Sequence, residues 1–465
     1  MTALHELSAT EALARFRSKE LSPVELMEAV LARADALEPT VNALPCRYDE
    51  QALEQARAAE QRYAAGGDPA RPLDGLPVAT KEEAPIAGLS WTEGSLLHKD
   101  RVADATAAFV QRILDAGGIV HARTSTPEFC CAPVTHSRLW GVTRNPWDAN
   151  AAVGGSSGGS GAALAAGYAP LATGSDIGGS IRIPAAFCGV LGFKPPHGRV
   201  PEFAPVNRDY YCHEGPMART VADVRLLENV IAGPHPDDVV SLRPKLEIPE
   251  SLGDVRGWRI ALCERLGDFD VEPEIAANLR AVADALRAAG AIVEEVELPW
   301  TTSEIVEAGL AHLGSIFGAG VASIPEEERA LMTDYALDFA AVSQTLPPGA
   351  QLAGMELEGR LYPPLGRMLE EYRVLLAPTF RRLPYEAGVT IPFRDFSADA
   401  MTLPFNMFSS CPVMSVPSGQ SASGLPTAVQ VVGPTYDDVA VFHVSAAIER
   451  ERPWPLVAPA AAVTA

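Results

Sequence analysis

Two runs, Gly154-Gly155-Ser156-Ser157-Gly158-Gly159-Ser160 and Gly174-Ser175-Asp176-Ile177-Gly178-Gly179-Ser180, constrain this chain more than any other feature of it. They place hydroxyls and peptide N–H groups on backbone nearly bare of side chains. Glycine costs conformational entropy wherever it is not required, so its density here implies positive φ, close approach of another segment, or both. A nucleophile beside an oxyanion hole needs both. Between the runs, Ser157 to Gly167 reads as a helix of small residues and Ala169 to Gly174 as a buried strand. About eleven helical residues rise roughly 17 Å, and about six strand residues return roughly 20 Å. Ser156 and Ser180 are therefore expected at one end of a sheet. The strand Leu76 to Thr80 runs into Lys81, which reaches that edge if the strand is a near neighbour. A desolvated lysine whose pKa falls from about 10.4 can take a proton from a serine, and burial is the expected cause.

The rest of the chain is read as the setting for that segment. A length of 465 residues with 47% hydrophobic content is ample for a large core. Ser8 to Glu11 and Ser22 to Glu25 are capping boxes, the second with Pro23 at the first helical position, and a third helix runs from Asp49 to Ala65 and stops at Gly66-Gly67. From Leu76 onward short apolar runs alternate with helices: Asp104 to Ala116, then Ile119 to Ala122. This predicts an α/β fold with a largely parallel sheet. A polar, proline-rich connector starts at Gly233 and runs to about Gly257, after which Trp258 to Cys263, Pro273 to Ala289 and Ile292 to Leu298 resume the pattern. Residues Thr301 to Leu369 are mostly helical and are expected to wall a substrate pocket. Pro453 to Ala465 reads as a loosely docked tail.

Composition excludes several classes of function. The formal net charge of -22 argues against a nucleic-acid or anionic-membrane surface, since both reward clustered Lys and Arg. The seven cysteines lack CxxC spacing and fit reduced thiols in a cytoplasmic protein. Met1 to Glu20 has no apolar core of the signal-peptide kind. No run approaches the roughly 18 apolar residues of a membrane span. The nine histidines offer no metal-ligand spacing, and no phosphate loop or dinucleotide fingerprint is present. No metal and no cofactor are inferred. Gly155-Ser156-Ser157-Gly158-Gly159 also satisfies G-x-S-x-G, which would make Ser157 the nucleophile of an α/β-hydrolase, but only Ala151 to Val153 are available as the preceding strand.

The residues carry a family resemblance. Thr143 to Trp147 and then GGSSGGSGAALAAGYAPLATGSDIGGSIRIPAAFCGVLGFKP, from Gly154 to Pro195, resemble the signature of the amidase signature family of serine hydrolases. Leu73 to Lys81, Thr126 to Phe129, Gly215 to Thr220, Phe405-Asn406 through Pro417 and Gly424 through Gly433 match further along, so the resemblance covers most of the chain. It implies one domain over residues 1–465, with a large twisted mixed β-sheet covered by helices on both faces. Within it, 1–70 would be an N-terminal helical region, 71–225 the catalytic core and 300–400 the variable pocket region. It implies a Ser–Ser–Lys triad: Ser180 as acylated nucleophile, Ser156 as bridging serine after a cis peptide bond, and Lys81 as terminal base. The N–H groups of Ile177, Gly178, Gly179 and Ser180 would form the oxyanion hole, and Asp176 and Arg182 would brace the loop. Cys130 and Cys131 fall where the family often has a pocket wall, and Gly155 is placed at the substrate with them. Ser157, Ser160 and Ser175 are read as loop and cap hydroxyls. The sequence departs from the family at Lys81-Glu82-Glu83, where Lys-Asp-Asn is usual. Glu83 would raise the lysine's pKa unless it points away.

The activity so implied is hydrolysis of the C–N bond of linear amides, or of related carbamates or esters, by a monomer or homodimer acting on a small molecule. The apolar elements Gly309 to Ile324 and Leu403 to Pro412 suggest aryl or alkyl bulk in the substrate. The alternatives are an amidotransferase component that frees ammonia from glutamine and a catalytically silent binding scaffold.

Overall fold

The computed structural model describes residues 3–66 and 71–459. Gly67, where the third helix is expected to stop, and tail residues 460–465 lie outside them. Among the described residues one sheet of 11 strands runs in the order Cys46–Arg47, Ile119–Thr124, Pro77–Lys81, Leu171–Ser175, Glu214–Ala218, Leu191–Lys194, Val413–Gln420, Pro426–Val432, Val374–Pro378, Arg259–Leu262, Ile292–Glu295. Successive strand residues point to opposite faces, and here they divide two cores. Ile260, Leu262, Val374, Leu376, Val429 and Val431 face one core, while Ala261, Leu375, Ala377, Ala428 and Val432 face the other. Helices cover both faces. Val221–Ile231, Pro273–Ala288 and Asp438–Glu451 bury their apolar sides in the first core. Thr302–Leu313 packs in the second, and Gly158–Ala166 with Arg182–Cys188 contribute to a third core beside it.

The expectation of a largely parallel sheet is corrected. Pro77–Lys81 is parallel to both neighbours, and so is Arg259–Leu262. The central strands from Leu171–Ser175 to Val374–Pro378 pair antiparallel throughout. Val413–Gln420 and Pro426–Val432 are joined by a short turn, and a parallel pair cannot be closed that way without a crossover. The sheet is mixed, as the family resemblance implies.

Local signals hold with small shifts. Ser22 and Glu25 form a reciprocal capping box, whereas Ser8 only accepts from the Glu11 N–H at 3.1 Å and the Glu11 carboxylate turns to Arg15. The connector packs against the first core through Ile248 and Val255. The described part of the tail is docked, not loose: Ala458 is buried and its N–H donates to the Ala165 carbonyl at 2.7 Å. Thr302–Leu313 continues through a π-helical turn, Gly314–Gly318, into Ala319–Ala322. This 21-residue stretch, with mean hydropathy 1.4, is long and apolar enough to cross a bilayer, which the sequence reading does not anticipate. Of its apolar window 61% is buried inside the protein, as in a core helix.

Candidate active site

Lys81 ends a strand whose five residues are all buried, and that strand lies directly beside Leu171–Ser175. Its Nζ donates to Ser156 Oγ at 2.7 Å and to Ser175 Oγ at 2.8 Å. The Gly155–Ser156 peptide bond is cis. A Cβ on Gly155 would sit 2.5 Å from the Ala132 carbonyl oxygen, so close approach explains that glycine. The Ser157 N–H donates to the Ser180 carbonyl at 3.1 Å, which joins the two glycine-serine runs at one sheet end. Ser180 is half-buried, and its hydroxyl takes part in no hydrogen bond among the described residues.

The electrostatics of Lys81 differ from the expectation. Burial pulls its ammonium pKa down, but negative charge at Cys130, Glu83 and Glu214 outweighs burial and the net shift is upward. Glu83 does not point away, because its Oε1 lies 3.3 Å from Lys81 Nζ. A lysine shifted downward by burial does exist, Lys194, pushed to about 7. Its Nζ, however, donates to the Pro195 and Ser409 carbonyls at 3.2 and 3.4 Å and stands 3.3 Å from His213 Nε2, with no serine hydroxyl. Lys81 is the lysine that reaches the serines.

The turn from Asp176 to Arg182 is held by a buried ion pair. Arg182 Nε and one terminal nitrogen donate to the two Asp176 oxygens at 2.9 and 2.8 Å. Burial alone would raise the Asp176 carboxyl, but Arg182, with Asn406 donating at 2.8 Å, holds it well below the usual carboxylate range. Arg182 also reaches the Thr402 carbonyl, Asn406 and Gln430. Of the four expected oxyanion N–H groups, that of Gly179 donates to Asp176 Oδ1 at 2.8 Å. Those of Ile177, Gly178 and Ser180 donate to no acceptor among the described residues. Gly179 has φ +126°, and a Cβ there would lie 2.2 Å from Thr402 Oγ1.

Two cavities meet at this turn and share Cys130, Ile177 and Phe317. The smaller is apolar and is lined by Gly155, Ser180 and Cys131 on one side and by Leu313, Phe339, Phe393, Phe396 and Leu403 on the other. The larger is a cleft of about 1510 Å³, open to solvent, with Ser156, Ser175 and Glu214 in its wall. Cys130 stays a neutral thiol, since burial pushes it up to about 12. Cys131 donates to the Glu128 carbonyl at 3.2 Å. Ser160 donates to the Thr173 carbonyl and Ser157 to that of Ser175, so neither side chain caps a helix. Ser157 is fully buried, and the preceding strand Asp148–Ala152 belongs to a separate two-stranded ribbon. That is no nucleophile elbow. Among the described residues no three His, Cys, Asp or Glu converge as metal ligands.

Sequence reading missed Ser175 as the second acceptor of Lys81, the brace formed by Thr402, Asn406 and Gln430, and the aromatic walls Phe339, Phe393 and Phe396. Asn406 lies in a matched segment and was legible there as a member, not as a brace. The phenylalanines come from helices without a motif.

The Amidase family matches residues 25–442. An acylamidase of Rhodococcus erythropolis is 34% identical over 97% of this chain and 96% of its own length. The glutamine-amidotransferase relative from Chloroflexus aurantiacus, one component of its glutamyl-tRNA(Gln) amidotransferase, is 33% identical over 98% of each. Among solved structures, a bacterial aryl acylamidase of the amidase signature family superposes with a TM-score of 0.90 at 30% identity, covering 97% of this chain and 98% of that one. 6-Aminohexanoate cyclic dimer hydrolase, complexed with substrate, gives 0.86 at 28% identity over 98% and 99%. With the family matched across nearly the whole chain and the fold reproduced by its solved members, this protein belongs to the amidase signature family and is an amidase, a hydrolase of amide C–N bonds.

Proposed function

We propose that the chain hydrolyses amides of aryl or alkyl acids through an acyl-enzyme on Ser180, with Ser156 and Lys81 completing the triad. The observation that carries this reading is the 2.7 Å hydrogen bond from Lys81 Nζ to Ser156 Oγ, on backbone joined directly to that of Ser180. With Lys81 as free base, Ser156 passes its proton to the lysine while taking one from Ser180, and the Ser180 oxygen attacks the carbonyl carbon. The N–H groups of Ile177, Gly178 and Ser180 receive the oxyanion, where one donor is typically worth about 100- to 1000-fold in rate. Gly179 and the Asp176–Arg182 pair shape the turn. The proton returns through Ser156 to the leaving nitrogen, the amine departs, and water releases the acid.

Substrate bulk follows from the apolar pocket at Ser180, to which Leu313, Phe317 and Leu403 contribute from the two segments read as apolar. In this reading the whole chain is one catalytic unit, residues 300–400 supply much of the acyl pocket, and carbamates and esters with the same acyl bulk are further substrates. It acts as a cytoplasmic monomer or homodimer. The test compares turnover of acetamide with that of anilides of larger acids by the isolated chain. Faster acetamide hydrolysis counts against the acyl pocket. Likeness to an amidotransferase component favours a second reading, release of ammonia from glutamine for a partner. Efficient anilide hydrolysis without any partner excludes that as the main role.

A further inference from the structure

Six carboxyl groups line the open cleft beside Ser156: Glu83, Glu93, Asp176, Glu202, Asp209 and Glu214. Three of them are committed elsewhere. Asp176 is paired with Arg182, Glu93 with Arg101 at 3.1 Å, and Asp209 accepts from His312 at 2.7 Å. Glu83 is matched to Lys81. Glu214 and Glu202 are left over. Glu214 is 4% exposed, its carboxyl accepts no hydrogen bond among the described residues, and what exposure it keeps is to the cleft. It stands opposite Ser175 in the antiparallel pairing, so its side chain shares a sheet face with the serine that Lys81 touches. Glu202, 8% exposed, is its like-charged neighbour. A buried carboxyl without a partner is costly, and a site that leaves one facing a cavity is suited to a ligand that supplies the missing donor and charge.

We infer that Glu214 and Glu202 form a cation subsite on the leaving-amine side, and that the preferred substrates are amides whose departing amine carries a second, protonated amino group. The side is assigned by the proton path: Ser156 opens on this cleft and must reach the leaving nitrogen, while Ser180 opens on the apolar pocket. A mono-acylated diamine fits both halves, with its acyl group among the phenylalanines and its ammonium at Glu214. Burial, then the charges of Glu83 and Glu202, raise the Glu214 carboxyl well above its usual range, so the unfilled cleft holds protons that an ammonium would displace. The inference rests on the proposed hydrolysis for its substrate, but not for the binding of a cation.

The test uses phenylacetyl amides of 1,4-diaminobutane, of pentylamine and of 4-aminobutyrate, which present a cation, a neutral isostere and an anion. The expected order of kcat/KM is cation over neutral by about tenfold or more, with the anion slowest. Glu214→Gln with Glu202→Gln collapses the cation-to-neutral ratio to about twofold or less. Calorimetry with pentylammonium and with 1-pentanol tests the subsite without catalysis, and only pentylammonium should bind, with its binding lost in the double variant. Equal kcat/KM for the charged and neutral amides, or no binding of pentylammonium, overturns the subsite while the hydrolase reading stands. Binding that depends on the two glutamates, without turnover of any amide, keeps the subsite and removes the proposed hydrolysis.

Discussion

Lys81 carries two opposing demands: the triad needs it without its proton, and the acids around it hold that proton on. Burial favours the neutral amine, yet Glu83 at 3.3 Å contributes a countercharge and the net shift is upward. A base whose pKa is raised becomes available only as pH rises. The rate constant kcat/KM for a neutral anilide should therefore climb on the alkaline side, and Glu83→Gln should move that rise to lower pH by removing the countercharge. A profile unchanged in the variant would mean that Glu83 does not govern the base. Ser180→Ala and Lys81→Ala should each lower kcat by on the order of 10⁴-fold or more, the loss typical of removing one member of a concerted set. Circular dichroism of both variants should remain that of the parent. Full activity in either would reassign the triad, and a Ser180→Ala protein still labelled by a fluorophosphonate would place the nucleophile elsewhere.

The element that depends most on its surroundings is the turn from Asp176 to Arg182. Its shape is set by a buried ion pair and by a glycine at φ +126° pressed against Thr402. Asp176→Asn leaves the Arg182 guanidinium buried without its countercharge, and breaking a buried pair this way costs about 3–5 kcal/mol. Urea unfolding should report a loss of that order, and activity should fall with it. A loss below about 1 kcal/mol would show that Asn406 and the Thr402 carbonyl suffice to hold Arg182. This turn was legible in the sequence as far as its own residues go. The helix and strand between Ser156 and Ser180 are local elements, and their lengths alone bring the serines to one sheet end. What local reading could not supply is contributed from far along the chain. Thr402, Asn406 and Gln430 reach Arg182 across more than two hundred residues of sequence, through side chains that have no pattern of their own. The parallel sheet was inferred from alternating helices and strands, and it failed where the hairpin Val413–Gln420 to Pro426–Val432 inserts antiparallel strands. Burial at Lys81 was expected to dominate its pKa because Glu83 had no assigned direction. Only the fold aims that carboxylate at the ammonium.

Across the whole molecule, buried carboxyls are numerous enough to shape how stability responds to pH. Glu202, Glu214 and Glu228 are held well above the carboxylate range by burial, with Asp238, Glu83 and Asp438 as their leading like-charged neighbours. Burial also pushes Glu38, Glu82 and Glu449 up to about 7. Each of these groups binds its proton more tightly folded than unfolded. Lowering the pH from about 8 therefore protonates the folded chain first and stabilises it, until the unfolded carboxyls take protons near about 4.3. The net charge of -22 eases in the same direction. Opposing groups act with different windows. Lys194, pushed down to about 7 by burial, costs more as the pH falls toward that value and little further below it. His121, pushed down to about 4, and His213, well below its usual value, are kept neutral by burial, so they favour the unfolded chain once pH drops below about 6.5. Six carboxyls outweigh one lysine above that point, and the histidines gain weight beneath it. The melting temperature should rise as pH is lowered from about 8 to about 6 and turn down by about 4. Thermal unfolding followed by circular dichroism at constant ionic strength measures this directly. Glu214→Gln, which removes one of the six, should flatten the limb between about 8 and 6, and a melting temperature highest at pH 8 would mean that these carboxyls are ionised in the folded protein.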